Sequence, residues 1–296
     1  MAIGQGTYDA VRARVPRSWR GTIGGGVEAV GRSTSSIRML PSFLIVGGQR
    51  CGTNSLYEYL IAHPAIGRAL PQQEVHYFDT NFARGIRWYR GHFPTKAWAR
   101  ATSLRAGQPA ITGESSPYYL FHPLAAERIA ATLPDVRLLV LLRDPVDRAY
   151  SQYHHERSNG NETLAFEEAL DREPERLAGE AERLAADPAY TSFAHQHHSY
   201  VARGDYIDQL ELLWDTFPSD RISIVLSERL FTDPAAVEAE VLSFLGVPAR
   251  AGHAYGRHNA GRYDDLPDRL RRRLANRFAE PNDRLARRLG FDPPWS

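Results

Sequence analysis

The residues best suited to chemistry in this chain begin with a glycine-punctuated stretch, Pro41 to Leu60. Gly47, Gly48 and Gly52 interrupt it, and Arg50 places a cation among them. A glycine loop ahead of a helix start aims backbone N–H groups at one point and adds the positive end of the helix dipole, which suits a phosphate or sulfate. Gly47-x4-Gly52 has the spacing of a nucleotide-binding P-loop, but Thr53 stands where that loop carries lysine. Taken alone, the stretch fits an ordinary glycine turn of an α/β protein slightly better. Glu74, His76 and Asp79 lie within six positions. A carboxylate and a histidine alternating in an extended segment share a face and suit general acid–base work in a cleft; the same spacing also fits a surface glutamate and a structural histidine. Arg143, with Ser151 eight residues on, pairs a cation with a hydroxyl, a combination that grips an anion or simply caps a helix.

These groups need a scaffold, and the apolar pattern supplies one. Phe43 to Val46 reads as a buried strand, with Thr53 as N-cap of a helix over 54–60. A second short strand is expected near 65–69, then an aromatic helix carrying Ile86, Trp88, Tyr89 and Phe93. Ala110 to Glu114 reads as a strand, followed by Ser116 and Tyr118 as the polar edge of a cleft. Val136 to Leu142 is continuously apolar, as a parallel strand covered on both faces should be. Helices are expected over 123–133, 146–157, 200–217, 233–244 and 266–289, with a strand over 221–226. Residues 161–188 read as a solvated helical excursion docked by Phe166, Leu170, Leu177 and Leu184. This alternation predicts an α/β fold: one domain over 38–296, with a central parallel sheet flanked by helices. Residues 1–37, with Gly24 to Gly26 and Ser33 to Ser36, are expected to form a flexible arm.

Composition narrows the function. The chain has 296 residues, 43% of them hydrophobic, and a net charge of +1, which does not suit a protein that coats polyanions. The basic helix over 266–289 interleaves acidic residues, so no nucleic-acid partner is expected. No transmembrane segment or signal-peptide core is evident. Cys51 is the only cysteine, which excludes an internal disulfide and fits a cytoplasmic location. Lys96 is the only lysine among 36 basic residues, a bias we attribute to a GC-rich, bacterial genome. His195, His197 and His198 have no cysteine or carboxylate at ligand spacing, and no metal site is expected.

Together the segments resemble the sulfotransferases that use 3′-phosphoadenosine 5′-phosphosulfate (PAPS), most closely the heparan sulfate branch with its 3-O-sulfotransferases and bacterial relatives. The resemblance covers about Pro41 to Trp295. It rests on the glycine loop, Glu-Val-His-Tyr-Phe-Asp at 74–79, Arg-Gly-Ile-Arg-Trp-Tyr at 84–89, Glu-Ser-Ser-Pro-Tyr at 114–118, Arg-Asp-Pro at 143–145 with Ser151, and Ser-Glu-Arg-Leu at 227–230. It implies a P-loop-like fold without a metal. It also implies that Arg50, Cys51, Gly52, Thr53, Asn54 and Ser55 form the 5′-phosphosulfate loop and that Arg143 and Ser151 hold the 3′-phosphate. His258, Asn259, Gly261 and Arg262 would form a late loop over the phosphosulfate. Glu74 would be the general base, supported by His76, while Asp79, Glu114, Ser116 and Tyr118 would line the acceptor cleft. The acceptor would be a hydroxyl of a glycan, glycolipid or secondary metabolite. The family usually has lysine at the positions of Arg50 and Gln73. A P-loop nucleotide kinase or NTPase, or a non-catalytic nucleotide- or sugar-binding relative, is the alternative reading.

Overall fold

The computed structural model describes residues 17–249, 255–256 and 264–295. Its centre is a five-stranded, all-parallel sheet in the order β2-β3-β1-β4-β5. The strands are β1 (Phe43–Gly47), β2 (Ile66–Gly67), β3 (Ile111–Ser115), β4 (Arg137–Leu142) and β5 (Ile222–Leu226). All five coincide with expected strands, within a residue or two at the ends of four of them. Only the edge strand β2 is much shorter, at two residues.

Strand alternation divides the core in two. Leu44 and Val46 of β1, with Leu138, Val140 and Leu142 of β4, face one side. There they meet α5 (Ala125–Thr132), α10 (Tyr206–Thr216) and the aromatic cluster of Tyr77, Phe78, Trp88 and Tyr89. Phe43, Ile45, Leu139 and Leu141 face the other side, against α2 (Thr53–Ile61) and α12 (Pro234–Leu245). Both faces are covered, which explains why β1 and β4 read as continuous apolar runs rather than alternating ones.

The remaining helices are α3 (Ile86–Arg90), α4 (Lys96–Ala106), α6 (Pro145–Ser158), α7 (Phe166–Leu177), α8 (Glu180–Ala186), α9 (Phe193–His197), α11 (Ser227–Thr232) and α13 (Asp268–Leu289), of which α6, α7 and α13 share a third apolar cluster. The 161–188 excursion packs down through Phe166, Leu170 and Leu184, which are buried as expected, while Leu177 is only half-buried. Gly24 to Gly26, read as part of a flexible arm, lie inside the helix α1 (Arg17–Ser33). Glu28 of α1 takes hydrogen bonds from Arg84 and the Trp88 indole, so this segment is tied to the domain. The arginines of α13 face carboxylates: Arg269 pairs with Glu167, Arg271 with Asp147, Arg273 with Asp171, Arg277 with Asp205, and Arg284 with Asp208 and Glu211.

The connections leaving the carboxyl ends of β1, β3 and β4 carry Arg50, Ser116 and Arg143 respectively. The chain passes from β1 to β2 and β3 on one side, then crosses to β4 on the other. A crevice outside the strand ends at such a reversal is where open parallel sheets take ligands.

Candidate active site

The loop after β1 is fixed by backbone bonds before any side chain acts. Gly48 N donates to Leu141 O of β4 at 2.6 Å, and Cys51 N donates to Gly48 O at 3.2 Å. Gly52, at φ +90°, is the N-cap of α2, and a Cβ there would lie 2.9 Å from the Phe231 ring. Glycine is therefore required on two counts. Thr53, expected as the cap, is instead the first helical residue. First-turn amides such as those of Thr53 and Asn54 have no acceptor within the helix and point toward the space ahead of it.

Cations converge on this loop. Arg50, itself at φ +67°, donates from Nε to Ser151 Oγ at 3.2 Å. Arg143 donates from Nη1 to the Arg50 carbonyl at 3.3 Å. Asp144 and Pro145 start α6 by an aspartate cap, which places Ser151 two turns along the helix. Arg50, Arg143 and Ser151, far apart in sequence, thus share one location.

The second group is a line of acid, imidazole and acid. His76 Nδ1 lies 2.7 Å from Asp79 Oδ2, and its Nε2 lies 3.4 Å from Glu74 Oε2. Burial alone would lower the imidazole pKa, but the two carboxylates outweigh it and raise it to about 10. His76 is therefore a cation at neutral pH, held by the fully buried Asp79 and facing the more open Glu74, whose side chain is 39% exposed.

The backbone around this line is held from beneath by Glu114. Its carboxylate is fully buried and accepts from Tyr89 and Tyr119 hydroxyls at 2.9 and 2.8 Å, Ser116 Oγ at 2.6 Å and Val75 N at 3.1 Å. Burial pushes its pKa up to about 7, against four donors that favour the charged form. Ser116 Oγ in turn accepts from His76 N at 3.0 Å. The two groups are joined by Gln73, which donates from Nε2 to Asn54 Oδ1 at 2.7 Å.

A family model described as sulfotransferase domain matches residues 40–261 of this chain. The chain belongs to the sulfotransferase family. It is similar to a sulfotransferase from Alicyclobacillus acidocaldarius, with 30% identity and a TM-score of 0.63 over 87% of this chain and 99% of that one. A heparan sulfate glucosamine 3-O-sulfotransferase 5 from Mus musculus is 32% identical over 72% of this chain and 56% of that protein. A membrane-associated sulfotransferase, kil1, from Dictyostelium discoideum is 26% identical over 86% of this chain and 66% of that protein. The chain thus spans about two thirds of kil1 and a little over half of the 3-O-sulfotransferase. Among its described residues, no helix is long and apolar enough to cross a membrane. The family and the fold expected from the sequence both stand.

The structure places several of the expected site residues away from solvent. Glu114, Ser116 and Tyr118, expected to line an acceptor cleft, are all buried. Glu114 and Ser116 are spent on the 74–76 segment, and Tyr118 OH meets His195 Nδ1 at 2.8 Å. Burial, then the nearby Arg203 charge, lowers the His195 pKa to about 3. That imidazole is neutral, and its Nδ1 is paired with the tyrosine hydroxyl. Asp79 has no exposed side chain, and its Oδ2 faces His76. The Cys51 side chain is fully buried, with its thiol pKa raised by burial, so only its backbone is suited to an anion. His258, Asn259, Gly261 and Arg262 lie outside the described residues. Next to them, Gly256 O accepts from Tyr59 OH at 2.8 Å.

One residue not named from the sequence lies nearby. His155 stands one turn beyond Ser151 on α6, and its pKa is lowered by burial and by the charge of Arg50, against the opposing pull of Glu74. It is thus near both groups of the site. The i, i+4 spacing from Ser151 was a signal in the sequence.

Proposed function

We propose that this chain transfers the sulfuryl group of PAPS to an acceptor hydroxyl. The observation that carries this reading is the Gln73–Asn54 bond, which sets the residue beside Glu74 against the first turn of the anion-binding helix. A base and an anion cradle are thereby held at one crevice. Glu74 takes the hydroxyl proton as the acceptor oxygen attacks sulfur in line. The new O–S bond forms as the bond from sulfur to the 5′-phosphate oxygen breaks, leaving a sulfate ester and adenosine 3′,5′-bisphosphate. Negative charge grows on the leaving phosphate, where Arg50 and the loop amides stabilise it. Imidazolium at His76 orients Glu74 from one side while Asp79 fixes the ring. Arg143 and Ser151 receive the 3′-phosphate, which distinguishes this nucleotide from an ordinary one.

The acceptor is a hydroxyl of a glycan, glycolipid or secondary metabolite. Gln73 engages Asn54 at this point, so this side chain does not offer a charge to an acidic acceptor. A single buried cysteine suits a cytoplasmic setting. The test supplies PAPS with a library of hydroxyl compounds and follows sulfate esters and bisphosphate by mass spectrometry. Sulfated product from at least one acceptor is expected. Failure across the library, with no preferential stabilisation by bisphosphate over AMP in thermal melts, would overturn the reading.

A further inference from the structure

Arg203 is 3% exposed, on the short turn Ala202–Gly204 between α9 and α10. The turn is pressed into the fold. A Cβ on Gly204 would lie 2.6 Å from the Phe278 ring and 3.1 Å from Pro145 Cβ at the start of α6. The guanidinium donates to Ser199 Oγ at 2.8 Å, to the carbonyls of His195 and Gln196 at 3.0 and 2.7 Å, and to Gln49 Oε1 at 2.6 Å. It also lies against Tyr118 and Phe121, 4.7 and 5.1 Å from their ring centres. Every one of these partners is neutral. Among the described residues no carboxylate is within ion-pair distance of it, and Glu156 and Glu173 offset its charge only in part, from farther off. Burial lowers its pKa to about 10, so it keeps its charge at neutral pH.

A buried guanidinium is costly to retain without an anion. Among the described residues, its one side-chain hydrogen-bond acceptor outside its own neighbourhood is Gln49, the residue immediately before Arg50. We propose that Arg203 is a positioning residue for the phosphosulfate loop, gripping Gln49 to hold Arg50 in its left-handed backbone conformation, with its own charge balanced by the anionic nucleotide. A fixed cation in a low-dielectric interior acts over a longer distance than a surface one and is little screened by salt. Arg148, also fully buried, lies close enough to depress Arg203 further, and its bonds to Gln152 Oε1 and Tyr200 O are likewise to neutral acceptors. The pair gives the protein side of the loop an electropositive floor.

This inference rests on the sulfotransferase reading, and its test separates the two. Calorimetric affinities for adenosine 3′,5′-bisphosphate and for uncharged adenosine would be measured with wild type, Arg203→Gln, Arg203→Lys and Gln49→Met, alongside kcat, KM for PAPS and Tm. Arg203→Gln should weaken bisphosphate by roughly 10- to 100-fold, the range of a charge-assisted bond, while adenosine binding stays unchanged. Arg203→Lys keeps the charge without the fork and should recover part of the loss. Gln49→Met leaves Arg203 in place and should weaken bisphosphate and lower kcat with Tm unchanged, which keeps the question open to test if Arg203→Gln does not fold. Parallel loss of both ligands, or wild-type bisphosphate affinity in Arg203→Gln or in Gln49→Met, would overturn the proposal. A wild-type chain that does not prefer bisphosphate to adenosine would instead overturn the sulfotransferase reading.

Discussion

The loop after β1 and the segment from Gln73 to Asp79 meet at the same crevice but are built by opposite means. The loop is shaped by its backbone: two residues with positive φ, a ladder bond to β4 and a helix start whose amides face outward. The Glu74 segment contributes no strand, and its backbone is hung from side chains: Val75 N on Glu114, His76 N on Ser116 and Tyr77 N on the Tyr119 hydroxyl at 2.7 Å. A backbone-built site is suited to hold an anion of fixed shape. A side-chain-built one sets protonation states, because imidazole and carboxylates are packed to fix one another's charge. The comparison therefore assigns affinity chiefly to the first region and proton transfer to the second.

The hardest test of that division is Glu74→Gln. It keeps the shape and removes the proton acceptor, so turnover should fall by roughly 10²- to 10⁴-fold while bisphosphate affinity holds. Steady-state kinetics and calorimetry on the same preparation decide it, and unchanged turnover would move the base to His155, since the protonated His76 has no lone pair to offer. The next largest effect is expected at Arg50, which belongs to the loop and which we propose to face the leaving oxygen. Arg50→Ala should lower turnover on the order of 10²- to 10³-fold, the scale for losing one preorganised donor, and lower affinity less. Arg50→Lys should restore most of it. Equal losses in binding and turnover would show that Arg50 only holds ground-state charge, which would sharpen the division further.

The smallest effect is a pH dependence confined to the side-chain-built region. His76 titrates near 10 when folded, against an ordinary value of 6.5. A raised pKa gives stability that is complete below about 6.5 and lost as pH climbs through 10. The Tm gap between wild type and His76→Gln should be widest below pH 6.5 and close steadily toward pH 10. A gap that stays flat across that range would mean His76 carries no proton for its carboxylates.

The same contrast explains what the sequence could disclose. Strands β1 and β4 were legible because burial on both faces leaves an uninterrupted apolar run. The loop was legible because glycine is the only residue that tolerates Gly52's backbone and the nearby Phe231 ring. Thr53 was misplaced by one position because glycine at the cap leaves no side-chain bond to find. Glu114, Ser116 and Tyr118 stand at the end of β3, where ligands bind in such sheets, and so were read as cleft residues. Nothing local in their order tells a carboxylate that faces solvent from one saturated by Tyr89, Ser116, Tyr119 and Val75. That distinction depends on partners as far as 39 residues away. The helix of Arg17–Ser33 was hidden by three consecutive glycines, whose poor helix propensity is offset by bonds from Arg84 and Trp88 to Glu28.

The last helix has a consequence that reaches the crevice. Its arginines cover Glu167, Asp171, Asp205, Asp208, Glu211 and Asp147, and Asp147 also lies 4.0 Å from Arg143. Singly, such surface pairs contribute little. As a set they are a cationic jacket over an acidic flank. Without Arg271, Asp147 would be left to Arg143 alone and would compete with the 3′-phosphate for it. On the proposed assignment of Arg143 to the 3′-phosphate, α13 thereby sets how much of that charge a nucleotide meets.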